Sequence, residues 1–125
     1  MEPANRKVVI FDDDEDILSL CNFILAEAGW EVMSFPDCKN ILEKVTFINP
    51  AVILMDNWIP ESGGVIATHL LKNSPALKHI PVIYFSANND IEALALQAGA
   101  EAYLAKPFEL EELEEMVAKY SCLSA

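Results

Sequence analysis

Residues 52–56 read Val52-Ile53-Leu54-Met55-Asp56, four apolar side chains in a row closed by a carboxylate. A run this short is a strand rather than a helix, and its lack of alternation marks a strand covered on both faces. The same pattern recurs on both sides. Val8 to Phe11 is followed by Asp12 and Asp13 and Val82 to Phe85 by Ser86; Ala102 to Ala105, followed by Lys106 and Pro107, shows the pattern less clearly. A fifth run, Trp30 to Phe35, alternates more and sits between Gly29 and Pro36, which suits a strand nearer the sheet edge.

The segments between these runs have helical spacing. Glu15 to Ala28 aligns Ile17, Leu18, Cys21, Ile24, Leu25 and Ala28 and stops at Gly29, a natural C-terminal cap. Asp37 to Phe47 predicts a second helix, with Ile41, Leu42, Val45 and Ile48 near one register. Gly64 to Lys72 predicts a third, offering Val65, Ile66, His69 and Leu70 at helical spacing. Asp90 to Ala98 offers Ile91, Leu94, Ala95 and Ala98, and Glu109 to Tyr120 offers Leu110, Leu113, Met116, Val117 and Tyr120. Five strands alternating with five helices predict an α/β fold with a doubly wound parallel sheet and right-handed crossovers. No linker, repeat or low-complexity segment interrupts it, so residues 1–125 are expected to form one domain with its core at about 6–121.

Composition narrows the function. Twenty acidic against eight basic residues leave a formal net charge of −12, which argues against direct binding of nucleic acid or an anionic membrane. At 53% hydrophobic the chain is too apolar for a disordered acidic tail. Cys21, Cys38 and Cys122 are odd in number and lack metal-ligand spacing, which suits reduced thiols. The N-terminus has no signal-peptide h-region and no stretch approaches membrane-spanning length, so a cytoplasmic protein is expected.

In an open parallel sheet, ligands bind in the crevice beyond the carboxyl ends of the strands. Asp12, Asp13, Asp56, Ser86 and Lys106 all follow strands and should meet there. Three gathered carboxylates call for a cation, and oxygen-only donors without nearby His or Cys favour Mg²⁺, with Mn²⁺ as a substitute. A carboxylate beside Mg²⁺ and a lysine can attack a phosphoryl group, and the Ser86 hydroxyl could hold a phosphoryl oxygen. Asp14, Glu15 and Asp16 read instead as a solvated helix N-terminus favoured by the macrodipole. His69 and His79 read as surface and loop residues.

Taken together, Val8 to Asp13, Val52 to Asp56, Pro60 with Gly64, Val82 to Ala87, and Tyr103 with Lys106-Pro107 resemble the receiver domains of two-component response regulators over nearly the whole chain. The resemblance implies a flavodoxin-like (βα)5 fold with strand order 2-1-3-4-5. It implies that Asp56 accepts a phosphoryl group from a sensor histidine kinase or a His-phosphotransfer protein. Asp13 and Asp56 would bind Mg²⁺ directly, Asp12 mainly through water, and the Trp58 backbone carbonyl would complete the site. Ser86 would hydrogen-bond the phosphoryl group, Lys106 would pair with Asp56 and with the phosphoryl oxygens, Tyr103 would be the aromatic switch, and Pro107 would follow a cis peptide bond.

The resemblance also makes the face of the fourth helix, fifth strand and fifth helix the output surface, reshaped by roughly −1.5 to −2 added charges. With nothing after Ala125, output would be binding of a downstream protein or relay of phosphate. Trp58 and Asn88, two residues beyond Asp56 and Ser86, would tune the lifetime of the phosphorylated state. Such a protein would catalyse only its own phosphorylation and dephosphorylation. Two other classes compete. A Mg²⁺-dependent phosphohydrolase would want a general acid where Trp58 stands. A phosphorylation-independent binding module would typically have lost the acceptor, the acid pair or the lysine, and all are present.

Overall fold

The computed structural model describes residues 5–57, 63–87 and 90–121. The unalternating apolar runs become the centre of the sheet. Strands β1 (Lys7–Phe11), β3 (Val52–Asp56) and β4 (Val82–Ser86) are buried along their length apart from Lys7, while β2 (Glu31–Phe35) and β5 (Ala102–Ala105) form the edges. All neighbours are parallel, in the order β2-β1-β3-β4-β5.

Helices cover both faces because alternate residues of each central strand point to opposite sides. Val8, Ile10, Leu54, Ile83 and Phe85 pack with Cys21 and Leu25 of α1 (Glu15–Glu27) and Leu113 and Val117 of α5 (Leu110–Ser121). Val9, Phe11, Met55 and Tyr84 pack under α2 (Ile41–Ile48), α3 (Gly63–Lys72) and α4 (Ile91–Ala98). Among the described residues, no helix is long and apolar enough to cross a membrane.

Two helices depart from the sequence expectation. The second starts at Ile41 rather than Asp37, because Asn40 adopts a left-handed conformation (φ 53°) and the Asp37 carboxylate accepts a hydrogen bond from the Lys39 amide, closing a turn. The third buries Gly64, Ala67, Thr68 and Leu71, whereas Ile66 and Leu70 are exposed and His69 faces outward, its Nε2 2.8 Å from the Gln97 carbonyl of α4. Both stripes of α3 have helical spacing. The stripe containing Gly64 and Ala67 turns inward because only small residues let the helix come this close to β3.

The thiols lie in apolar surroundings. Burial, with a smaller contribution from Asp12, pushes Cys21 up to about 12, and burial beside Asp37 does the same to Cys38. Because the thiolate is the reactive form, native protein treated with iodoacetamide at mildly alkaline pH should leave both unlabelled until it is unfolded. Peptide mapping that finds either one rapidly alkylated in the native state would contradict this. Cys122 lies outside the described residues.

Candidate functional site

The strand ladders carry the polar residues to one edge. Asp56 closes β3 opposite Phe85, and Ser86 closes β4 opposite Ala105. Just past β1, the Asp12 amide donates to the Phe35 carbonyl at 3.1 Å, and just past β5 the Lys106 amide donates to the Ser86 carbonyl at 3.0 Å. Each side chain is therefore held by backbone pairing, not by a free loop.

Asp12 is 1% exposed, Asp56 4% and Ser86 0%. Carboxylates this deep need compensation. Lys106 supplies it to both, its Nζ lying 2.7 Å from Asp12 Oδ2 and 2.8 Å from Asp56 Oδ1. The same ammonium sits 4.5 Å from the centre of the Phe85 ring, which closes its apolar side. Burial alone draws the Lys106 pKa down, but the hydrogen bonds and charges of Asp12 and Asp56 outweigh it and leave it raised.

Asp12 Oδ1 accepts from the Asp14 amide at 2.9 Å, which fixes the carboxylate's orientation. Asp14 caps α1, accepting from the amides of Asp16 (2.9 Å) and Ile17 (3.4 Å). Exposed Asp13 completes a trio with Asp12 and Asp56 in which one oxygen from each lies within 4.8 Å of the others. Oxygen donors at such separations can surround a hard divalent cation.

Gly64, in the first turn of α3, packs tightly against the end of β3. A Cβ on Gly64 would lie 2.2 Å from the Asp56 carbonyl oxygen and 2.9 Å from the Tyr84 hydroxyl. Gly64→Ala should lower the free energy of unfolding by about 1–3 kcal/mol, the usual range for overpacking. A urea melt of the variant that matches wild type would show that the turn yields freely.

Tyr103 is 40% exposed, its hydroxyl donating to Glu92 Oε2 of α4 at 3.2 Å, a hydrogen bond that raises the phenol pKa. The Lys106–Pro107 peptide bond is cis. Trp58, Pro60 and Asn88 lie outside the described residues.

Two features of the site went unread in the sequence. Lys106 pairs with Asp12 as well as Asp56. The buried Tyr84 hydroxyl donates to Asn57 Oδ1. Their only trace in the sequence is a phenol inside an otherwise apolar run and an amide directly after Asp56.

Known proteins place this geometry in context. The model of the response regulator receiver domain matches residues 8–118. The polar-differentiation response regulator DivK of Brucella ovis is 31% identical over 92% of this chain and 95% of its own length. The CAI-1 autoinducer sensor kinase/phosphatase CqsS of Vibrio cholerae is 30% identical over 92% of this chain, but the chain spans only 17% of that protein. The receiver domain of sensor histidine kinase PA1611 from Pseudomonas aeruginosa, solved with a magnesium ion coordinated in its active site cleft, superposes with a TM-score of 0.86 at 25% identity, covering 95% of this chain and 99% of that one. A buried aspartate after β1, another closing β3, a lysine after β5 and a family match over nearly the whole sheet lead to one conclusion: this chain belongs to the response regulator receiver domains of two-component systems.

Proposed function

We propose that Asp56 accepts a phosphoryl group from a phosphohistidine on a sensor histidine kinase or phosphotransfer protein. The observation that carries this reading is the Asp56 carboxylate itself, buried at a strand end with one oxygen 2.8 Å from the Lys106 ammonium and within the acidic trio. An Asp56 oxygen attacks phosphorus. The new O–P bond forms as the bond to the donor imidazole breaks, and the imidazole nitrogen keeps the electron pair. Lys106 holds its positive charge beside the transferring oxygens.

The acids fit a hard divalent ion. Asp13 and Asp56 would hold Mg²⁺ directly, Asp12 mainly through water, and the Trp58 carbonyl would complete the set, with Mn²⁺ as a substitute. The magnesium in the PA1611 receiver supports this choice. When bound, the ion neutralises charge on the phosphoryl oxygens.

The added charge of roughly −1.5 to −2 draws the Ser86 hydroxyl and Lys106 toward Asp56. Tyr103, leaving Glu92, turns inward, and the face of α4, β5 and α5 changes for a downstream protein. Trp58 and Asn88 tune how long the state lasts. The chemistry is confined to the protein's own phosphorylation and dephosphorylation. Intact-mass spectrometry after incubation with acetyl phosphate should show a gain of one phosphoryl group that requires Mg²⁺ and is removed by hydroxylamine. Absence of the adduct, with metal binding confirmed and rapid hydrolysis excluded, would overturn the reading.

A further inference from the structure

Tyr84 is a residue the phosphoryl chemistry leaves unused, and its surroundings are specific. It is fully buried in β4, two residues before Ser86 and on the same face of the strand. Its hydroxyl crosses to the neighbouring strand's exit and donates to Oδ1 of Asn57, the residue after Asp56. The backbone of Asn57 is held too, its carbonyl accepting from the Gly64 amide at 3.0 Å, so the exit of β3 is tied to the start of α3. Room for the hydroxyl exists because residue 64 has no side chain: a Cβ there would stand 2.9 Å from it.

A buried phenol in an apolar strand costs stability unless it is hydrogen-bonded. A phenylalanine would fill the same space without that cost. Burial, reinforced by the Asp56 charge, pushes the phenol up to about 12, so it remains a donor at neutral pH.

We infer that the Tyr84–Asn57 hydrogen bond is a positioning clamp that ties the exit of β3, directly after Asp56, to β4 and thereby sets the affinity of the acidic site for its divalent ion. The inference rests on the phosphoacceptor reading above, in which the Asp56 carboxylate, one residue before Asn57, is a ligand of the metal. Tyr84 is not one of the residues proposed to hold the metal or the phosphoryl group, and acts through Asn57. Groups that orient metal ligands from behind commonly govern affinity in this way.

The test uses the whole chain and three variants: Tyr84→Phe, which removes only the hydroxyl, Asn57→Leu, and both together. Calorimetric titration with Mg²⁺ should give a Kd about five- to tenfold higher for Tyr84→Phe than for wild type. In the Asn57→Leu background the same change should have no further effect, which a role in packing alone would not produce. Residue-resolved hydrogen exchange on metal-free protein gives an independent reading: the Gly64 amide should exchange faster in Tyr84→Phe. A Kd within about twofold of wild type, or an equal effect in both backgrounds, would overturn the clamp while the acceptor reading stood. Unchanged Gly64 exchange would overturn it as well. Wild-type protein that neither binds Mg²⁺ nor takes up phosphoryl would instead overturn the acceptor reading, and with it the clamp's role in metal affinity.

Discussion

Asp56→Ala protein incubated with acetyl phosphate and Mg²⁺ is expected to gain no phosphoryl group, against one in wild type. The loss should be complete, because the variant lacks the attacking oxygen itself. The fold should survive. Lys106 still reaches Asp12 at 2.7 Å, and the ladder partners of β3 are backbone groups that alanine retains. Removing one of three carboxylates that lie within 4.8 Å of one another also relieves mutual repulsion. A thermal melt beside the mass spectrum separates lost chemistry from lost structure. An adduct of undiminished stoichiometry in Asp56→Ala would transfer the acceptor role to a neighbour such as Asp13.

Lys106→Met should have the largest effect on stability. The lysine is the shared counter-charge of two carboxylates that are 1% and 4% exposed, and methionine fills its stem without its charge. Breaking a buried pair from one side typically costs about 3–5 kcal/mol, because an uncompensated charge stays behind. Urea unfolding without divalent ions should show a loss of that order, and Mg²⁺, bound by the folded state as proposed above, should restore part of it. Equal midpoints for variant and wild type without metal would refute the counter-charge role.

The pH dependence follows from the direction of the lysine's shift. Its pKa is raised in the folded protein, so the unfolded chain releases this proton first. The contribution is complete below the unfolded value of about 10.4 and declines as pH rises through the folded one. Wild type should therefore lose stability in the alkaline range more steeply than Lys106→Met. Parallel alkaline profiles for the two would count against the pairing.

Much of this architecture is legible along the chain, for identifiable reasons. Val52 to Asp56 and Val82 to Ser86 lack alternation because both faces of a central parallel strand are covered, and that pattern survives in one dimension. The residues ending those strands reach one edge by topology alone, which is why Asp12, Asp13, Asp56, Ser86 and Lys106 could be picked out before any distance was known. The end of α1 at Glu27 is likewise local, set by Gly29 at φ 94°.

Other features depend on packing between distant segments. The inward stripe of α3 could have been either of two, and the close approach of Gly64 to the Asp56 carbonyl decided it. Asn40 delays the start of α2 to Ile41 through a backbone conformation that helical periodicity does not register. The double pairing of Lys106 and the Tyr84–Asn57 bond join residues 94, 50 and 27 positions apart, and only the register of the folded sheet brings them within reach. The chain by itself determined which side chains stand at the strand ends, since that depends on local pattern and order. Which of them touch was decided by the tertiary structure, because hydrogen bonds and ion pairs form over a few ångströms that sequence separation does not measure.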